Sequence, residues 1–514
     1  MARLRKQDIV EMDRAQLETL DHARLLGVAW ELRELCLELW ERLDQDSHNS
    51  SKPPSSDSPY KKRRKDETLN DGVDVSASST VNSEKESATE PPSTDHSEST
   101  KNKRNAGKQP GAKGFWRSQP LVAEKTIPHY PELCEHCKAV LEVAEDAKPY
   151  MGHHVLELEK TDQGVRISCS LHHYYSAVCV CGQETKSRPG EGYVSHLEGR
   201  KTDLKLTEYV LVGPYLATFV AALSNRYRMS RTKIKEFLAY WLNTELSVGT
   251  IDRCIREAGI ACQPVVEELI EELQEASVVG LDETPWHENG RLRWLWVAVS
   301  AITAVYFIGT RKKEELLRLI SETFMGWLVT DGYGVYRDRE RRQRCLAHLI
   351  RKAIALTGLG DEKARRMGEW LLRELRELIR AVAEEGEDAK RKSCPILARL
   401  KRACNLGAEG AHPKLRALAR EILNDWDAVV AFVKNPHLPP TNNDAERILR
   451  HAVISRRISF GTRTSEGSEA YAALLSVIET CRLRNVDPWT YIAQTIALAR
   501  KGQPHISIPT ATVK

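Results

Sequence analysis

Between Ala276 and Asp331 the chain carries four short runs dense in Val, Ile, Leu and Trp: ASVVGLDETPW, RLRWLWVAVSA, AVYFIGT and WLVTD. Runs of this length, rich in β-branched and aromatic residues, read as buried strands. The first two are separated by Glu288-Asn289-Gly290, and an Asn-Gly pair between apolar runs is a strong hairpin signal. A helix is expected over Lys313 to Ser321, ahead of the strand that closes on Asp331, and another after Cys345. Three antiparallel strands, a helix, a further strand and flanking helices specify an α/β fold, a mixed sheet covered by helices.

Two of these strands end in acids. Asp282 closes VVGLD and Asp331 closes WLVTD. A carboxylate at the end of a buried strand is unfavourable unless it binds something. Taken singly, each is explained by a turn or a helix cap. Two of them on neighbouring strands converge, and paired carboxylates offer the oxygen ligands that hard divalent cations take. A third acid, Glu446, lies in PPTNNDAERILRHAVI. The prolines disfavour helix upstream, and Asn443 suits an N-cap. Glu446 follows three residues later, where it either bonds back to the cap or points from the first helical turn into a site at the sheet edge.

A chain of 514 residues exceeds what one core supports, so several domains are expected around this tract. The sheet tract at 276–359 and the helical stretch at 436–500 flank a densely charged helical segment at 360–435, with a flexible tail at 501–514; the family resemblance given below makes the first two a catalytic core and the segment between them an insertion. Residues 1–45 read as a helix in which Leu25, Val28, Leu32, Leu35 and Leu39 alternate steps of three and four. That is the seam of a coiled coil, but two heptads fit a helix packed on its own protein equally well. Residues 46–123 lose most large apolar residues and are expected to be a disordered basic linker. Between Ser99 and Ala123 there is no acid, so Lys103, Arg104, Lys108 and Lys113 are candidates for DNA contact through counterion release.

Residues 124–200 form a cysteine- and histidine-rich module. Cys134 and Cys137 have the spacing of a zinc half-site, and Cys179 with Cys181 supply a second pair. Only one residue separates the second pair, so Cys169, His172 or His173 are alternative ligands. Residues 201–275 read as helical. Arg231 to Leu242, a break at Asn243-Thr244, and Val248 to Ala258 after Ser247 suggest a helix-turn-helix. In that arrangement Arg231, Lys233, Lys235, Arg253 and Arg256 face phosphates or bases; plain packing of an amphipathic pair explains the same pattern. Cys345-Leu-Ala-His348 has the gap of a metal half-site without a visible second half. His348, Arg351 and Lys352 are read as DNA contacts, with a core histidine as the alternative, and Arg450 as a partner of Glu446 or of a phosphate.

MARLRKQDIVEMDRA has no apolar stretch fit for a signal peptide, and the run from Val297 to Gly309 is too short to span a bilayer. A cytoplasmic protein, nucleoid-associated when bound to DNA and with no membrane partner, is expected. The twelve cysteines are read as metal ligands and small core residues, not as a disulfide framework.

The segments LDETPW (281–286), TDGYGVY (330–336), CLAHLIRKA (345–353) and NNDAERILRHAVISRRISFGTRTSEGSEAYAALLSVIETCRLRNVDPWTYI (442–492) together resemble the transposases of insertion-sequence family 66, the TnpC type. GKQPGAKGF (107–115) resembles the glycine-rich basic motif ahead of that family's zinc module. The resemblance implies an RNase H-like core of the retroviral integrase type, with Asp282, Asp331 and Glu446 as catalytic acids holding two Mg2+ ions. Such ions stand roughly 3.5 to 4 Å apart. Asp444 is the alternative third ligand and Glu283 the alternative first. The resemblance also implies a structural Zn2+, transposon-end and target DNA as substrates, a homo-oligomer, and small companion proteins. The implied reaction is metal-dependent cleavage at transposon ends, then attack of the freed 3′-hydroxyl on target DNA. The alternatives are a catalytically silent, transposase-derived DNA-binding protein, or an RNase H-fold nuclease that cuts without joining.

Overall fold

The computed structural model describes residues 21–43, 119–144, 146–192, 204–385 and 389–510. The linker expected over 46–123 lies outside the described residues as far as position 118, and with it Lys103, Arg104, Lys108 and Lys113. Helix α1 covers His22–Leu43 and exposes Leu25, Leu26 and Trp30. No helix among the described residues is long and apolar enough to cross a membrane.

The cysteine-rich module is built on strands β1 (Lys125–His129), β2 (Met151–Thr161) and β3 (Gly164–Tyr174), in the order β1-β3-β2. A small pair, β4 (Ser176–Val178) and β5 (Glu184–Lys186), follows. Two-residue strands β6 (Glu191–Gly192) and β7 (Leu206–Thr207) close the segment. The module is tied to the next helix, α2 (Pro214–Asn225), through β2. Leu156 donates its N–H to Leu211 O at 2.7 Å and accepts from Gly213 N–H at 2.8 Å. Glu157 then accepts from Leu216 N–H at 2.8 Å, giving α2 the N-terminal acceptor that its own N-cap, Gly213, lacks. Burial raises the Glu157 carboxyl above its ordinary range.

Helices α3 (Arg231–Leu242) and α4 (Val248–Gln274) start at Ser230 and Ser247, whose side chains accept from the backbone N–H three residues on. Beyond them lies the main sheet: β8 (Val278–Glu288), β9 (Arg291–Val299), β10 (Ala304–Gly309), β11 (Trp327–Thr330) and β12 (Arg342–Arg344), ordered β10-β9-β8-β11-β12. The first three pair antiparallel; β8-β11 and β11-β12 are parallel. The hairpin turn sits where Asn-Gly placed it, with φ of 49° at Asn289 and 75° at Gly290, the left-handed pair a type I′ turn requires. Alternation along β8 assigns each face. Val279 and Leu281 enter the core shared with α4 and Trp296, while Trp286 packs on the opposite face with Leu295, Val297 and Tyr306.

Helix α5 is short (Lys313–Leu316), ending before the Ser321 expected from sequence. After β12 come α6 (Leu346–Thr357), α7 (Glu362–Glu385), α8 (Ala389–Ala408), α9 (Pro413–Asn424), α10 (Trp426–Val429) and α11 (Ala431–Lys434). These helices share a separate apolar core around Leu349, Leu375, Leu400 and Leu418. Helices α12 (Asn443–Ser459), α13 (Ser465–Leu483) and α14 (Pro488–Arg500) return to the sheet, and Ala445, Leu449 and Ala452 of α12 cover the Trp286 face. The segment after α14 does not run free as a tail through its described part. Ile508 is buried, and the carbonyls of Ile506 and Ile508 accept from Tyr491 Oη and Arg484 Nη1 at 2.5 and 2.7 Å.

Candidate carboxylate centre and cysteine cluster

Strand β8 does not stop at Asp282, as its composition suggested. It runs on to Glu288, with Asp282 opposite Val297 of β9. What ends near Asp282 is the parallel pairing: Trp327, Leu328 and Val329 of β11 lie opposite Val278, Val279 and Gly280. Carrying that register forward sets Asp331 beside Asp282 on the face that α12 covers. Asp331 is half-buried, and its Oδ1 accepts the Tyr333 N–H at 2.8 Å, forming the turn into Gly332.

Glu446 reaches the same place from the first turn of α12. Asn442, not Asn443, occupies the N-cap, so Glu446 stands one position beyond the site a capping-box glutamate needs. Its carboxylate does not bond back to the helix start. Arg351 Nη2 donates to both oxygens, at 3.1 and 3.3 Å, and His348 Nδ1 lies 3.6 Å away. Burial, followed by the positive charge of Arg351, Arg344 and Lys352, holds His348 down to about 3, so it is neutral at pH 7 and its contact with Glu446 is no ion pair.

Asp282 lies within reach of the other acids' charge. Burial, then the negative charges of Glu283, Glu446 and Asp331, pushes the Asp282 carboxyl well above the usual range. The sequence-level alternatives lie elsewhere. Glu283, next along β8, points to the opposite face, where Arg311 Nη2 and Tyr336 Oη each donate to it at 2.7 Å. Arg311 is itself stacked between Trp294 and Tyr333. Asp444 is exposed and paired with Arg447.

Several expected DNA contacts are paired within the chain. Arg351 is bound to Glu446, and Lys352 Nζ reaches Glu421 at 2.6 Å. His348 is largely buried, with Nδ1 lacking a hydrogen-bond partner. The physical reason is local: carboxylates on α12 and α9 draw these cations off the surface. Arg231 pairs with Asp252 at 2.5 Å, Arg256 with Glu466 at 2.7 Å, and Arg253 donates to Lys205 O at 3.4 Å. Lys233, Lys235 and Arg450 remain exposed. Sequence reasoning overlooked Arg342 and Arg344, because three polar residues do not look like a strand. They are buried on β12 because Asp425 and Glu421 of the helical insertion neutralise them.

In the module, Cys134, Cys137, Cys179 and Cys181 bring their four sulfurs within 4.8 Å of one another. Cys134 and Cys181 stand 3.7 Å apart, and Cys137 and Cys179 3.4 Å. The Cys137 amide draws the Cys134 thiol down to about 6. Two of the three alternative ligands are occupied otherwise. Cys169 lies in the core beside Leu156, and His172 bonds His129 at 2.9 Å and Ser170 at 3.2 Å.

The family model described as "Transposase IS66 family" matches residues 210–470, just over half of the chain and all three acids. The chain belongs to this transposase family. A second model, a family of unknown function (DUF6444), matches residues 5–86 of the transposase. Among curated proteins, the chain is 26% identical to uncharacterized protein y4jD of Sinorhizobium fredii, over 42% of its own length and 45% of the relative. It is 24% identical to uncharacterized protein y4qI of the same organism, over 51% and 54%. A third, y4hP, is 36% identical over 76 residues, 15% of the chain and 14% of the relative. The chain thus spans about half the length, or less, of the relatives it matches.

Proposed function

We propose that the main sheet and α12 form an RNase H-like catalytic core, in which Asp282, Asp331 and Glu446 hold divalent metal ions, Mg2+ by donor chemistry. The observation that carries this reading is the strand register that sets Asp331 beside Asp282, with Glu446 near enough for its charge to act on Asp282 and itself bonded by Arg351. Like charges gathered this way favour a bound cation, and an all-oxygen donor set suits a hard one. When bound, such ions activate a water and stabilise the leaving oxygen of a phosphodiester.

The chain's own contribution is placement. Asp282 and Asp331 come from a rigid central pair of strands, and Glu446 from a helix packed on the same face. Arg351 holds the Glu446 carboxylate in place through bonds to both of its oxygens. At a transposon end, water attacks phosphorus and the P–O3′ bond breaks, leaving a 3′-hydroxyl and a 5′-phosphate. That hydroxyl then attacks a target phosphodiester; a new P–O bond forms as the target strand's own is broken, and no residue is covalently modified. Transposon-end and target DNA are the substrates, with Lys233, Lys235 and Arg450 as exposed positive charges for phosphate. A homo-oligomer working with small companion proteins fits the family.

The four cysteines fit a structural Zn2+. With Zn–S of about 2.3 Å, a tetrahedral site sets sulfurs about 3.8 Å apart, close to the two pairs above. Zinc there would clamp the β1–β5 module and take no part in the chemistry.

Incubating the purified chain with labelled transposon ends and Mg2+ tests the reading. Nicked ends and strand-transfer products are expected from the native chain, and shifted but uncut DNA from Asp331→Asn. Cutting by that variant would remove Asp331 from the site, and cutting without joining by the native chain would favour a simple nuclease.

A further inference from the structure

The three carboxylates arrive on separate segments, and one circuit of hydrogen bonds joins all three. Cys345 donates its N–H to Thr330 O at 2.8 Å, directly before Asp331. Its Sγ accepts the N–H of Asn442 at 3.2 Å. The side-chain Nδ2 of Asn442 donates to Leu281 O at 2.6 Å, directly before Asp282. Asn442 O in turn accepts the N–H of Glu446 at 3.1 Å. A parallel bond, Leu346 N–H to Pro440 O at 2.9 Å, runs beside it.

Two features set this circuit apart from ordinary packing. Cys345 and Asn442 are the N-cap residues of α6 and α12, yet neither side chain caps its own helix. Asparagine at an N-cap ordinarily accepts from the first helical turn; here its amide is aimed across at β8. The strand has also made room for it. A Cβ at Gly280 would stand 2.6 Å from Asn442 Oδ1, so a larger residue would push the amide away. Both partners are almost fully buried, at 0% exposure for Cys345 and 4% for Asn442. Water therefore does not compete for these bonds, and losing one leaves a buried group unpaired.

We infer that Asn442 and Cys345 form a clasp that fixes the mutual placement of Asp282, Asp331 and Glu446, as positioning residues of the cation site. The inference rests on the cation reading given above. Asn442 sets the distance from α12 to β8, and Cys345 passes that restraint on to β11.

The test is Mn2+ binding to the full chain without DNA, followed by calorimetry. Variants are Asn442→Leu, Cys345→Val, which keeps bulk but loses the acceptor, and Cys345→Ser, which keeps an acceptor. Thermal unfolding and amide exchange at Glu446 are measured on each. Asn442→Leu and Cys345→Val are expected to weaken Mn2+ binding by ~10–100-fold, the usual effect of removing a group that orients metal ligands, and to speed exchange at Glu446. Cys345→Ser is expected to stay near the native affinity, a rescue that simple loss of packing would not produce. A folded Asn442→Leu or Cys345→Val that binds Mn2+ like the native chain overturns the clasp. If Asn442→Leu does not fold, the two Cys345 variants decide, and equal weakening in both also overturns it. Asp282→Asn separates the two ideas. Native binding that Asp282→Asn abolishes and clasp variants leave untouched sinks the clasp alone; binding unchanged in Asp282→Asn, or absent from the native chain, sinks the cation reading beneath it.

Discussion

The core around α4 and the carboxylate centre both hold acids, and they do so in opposite ways. In the first, the buried Glu257 and the part-exposed Glu272 each have a cation. Glu257, at 3% exposure, is bracketed by Arg500 Nε at 2.7 Å and Nη2 at 2.9 Å. Glu272 is met by Arg484, which also bonds Thr303. In the second, Asp331 is tied down by a backbone N–H, Glu446 by one arginine, and Asp282 has three acids as its electrostatic neighbours. A buried pair neutralised within the chain is complete as it stands. Asp282, Asp331 and Glu446 are half-buried, and the reading proposed above is that a cation from outside the chain balances their charge.

The sharpest way to break this comparison is to remove charge at the centre. Asp282→Asn or Asp331→Asn is expected to lower end cleavage by ~10³-fold or more, since metal stabilisation of developing charge is worth several kcal/mol, while gel-shift binding of the ends persists. Removing charge from the core around α4 should do the reverse. Arg500→Met strands Glu257 and is expected to reduce stability by about 3–5 kcal/mol, read from denaturant midpoints, without a specific effect on the chemistry. The same assay on Asp282→Asn should show a small gain without added metal. Relief of like-charge crowding is expected to raise the denaturant midpoint slightly; a loss instead would mean Asp282 is itself a strut. The mildest effect is expected at Glu157, whose carboxylate serves α2 as a cap. Glu157→Ala should lower stability by about 1 kcal/mol.

Much of this was legible in the sequence. Alternation and the Asn-Gly turn located β8 and β9, and the Cys134–Cys137 spacing pointed to the half of a cluster that Cys179 and Cys181 complete. Three things were not legible, each because it depends on partners distant in the chain. A strand of Arg-Gln-Arg reads as surface until Asp425 and Glu421 arrive from the insertion to neutralise it. The pairing of Arg351 with Glu446 and of Lys352 with Glu421 joins residues 95 and 69 positions apart. Asp282 read as a strand end because apolar residues stop there, but only its parallel neighbour stops; β9 carries the pairing on to Glu288. Local pattern reports propensity, while charge placement is settled by tertiary contact.

The most direct test of the central claim is anomalous diffraction from crystals of the chain grown with Mn2+. The account predicts a peak within bonding distance of carboxylate oxygens of Asp282, Asp331 and Glu446. A well-ordered site with the three carboxylates and no Mn2+ between them, at saturating concentration, would contradict it.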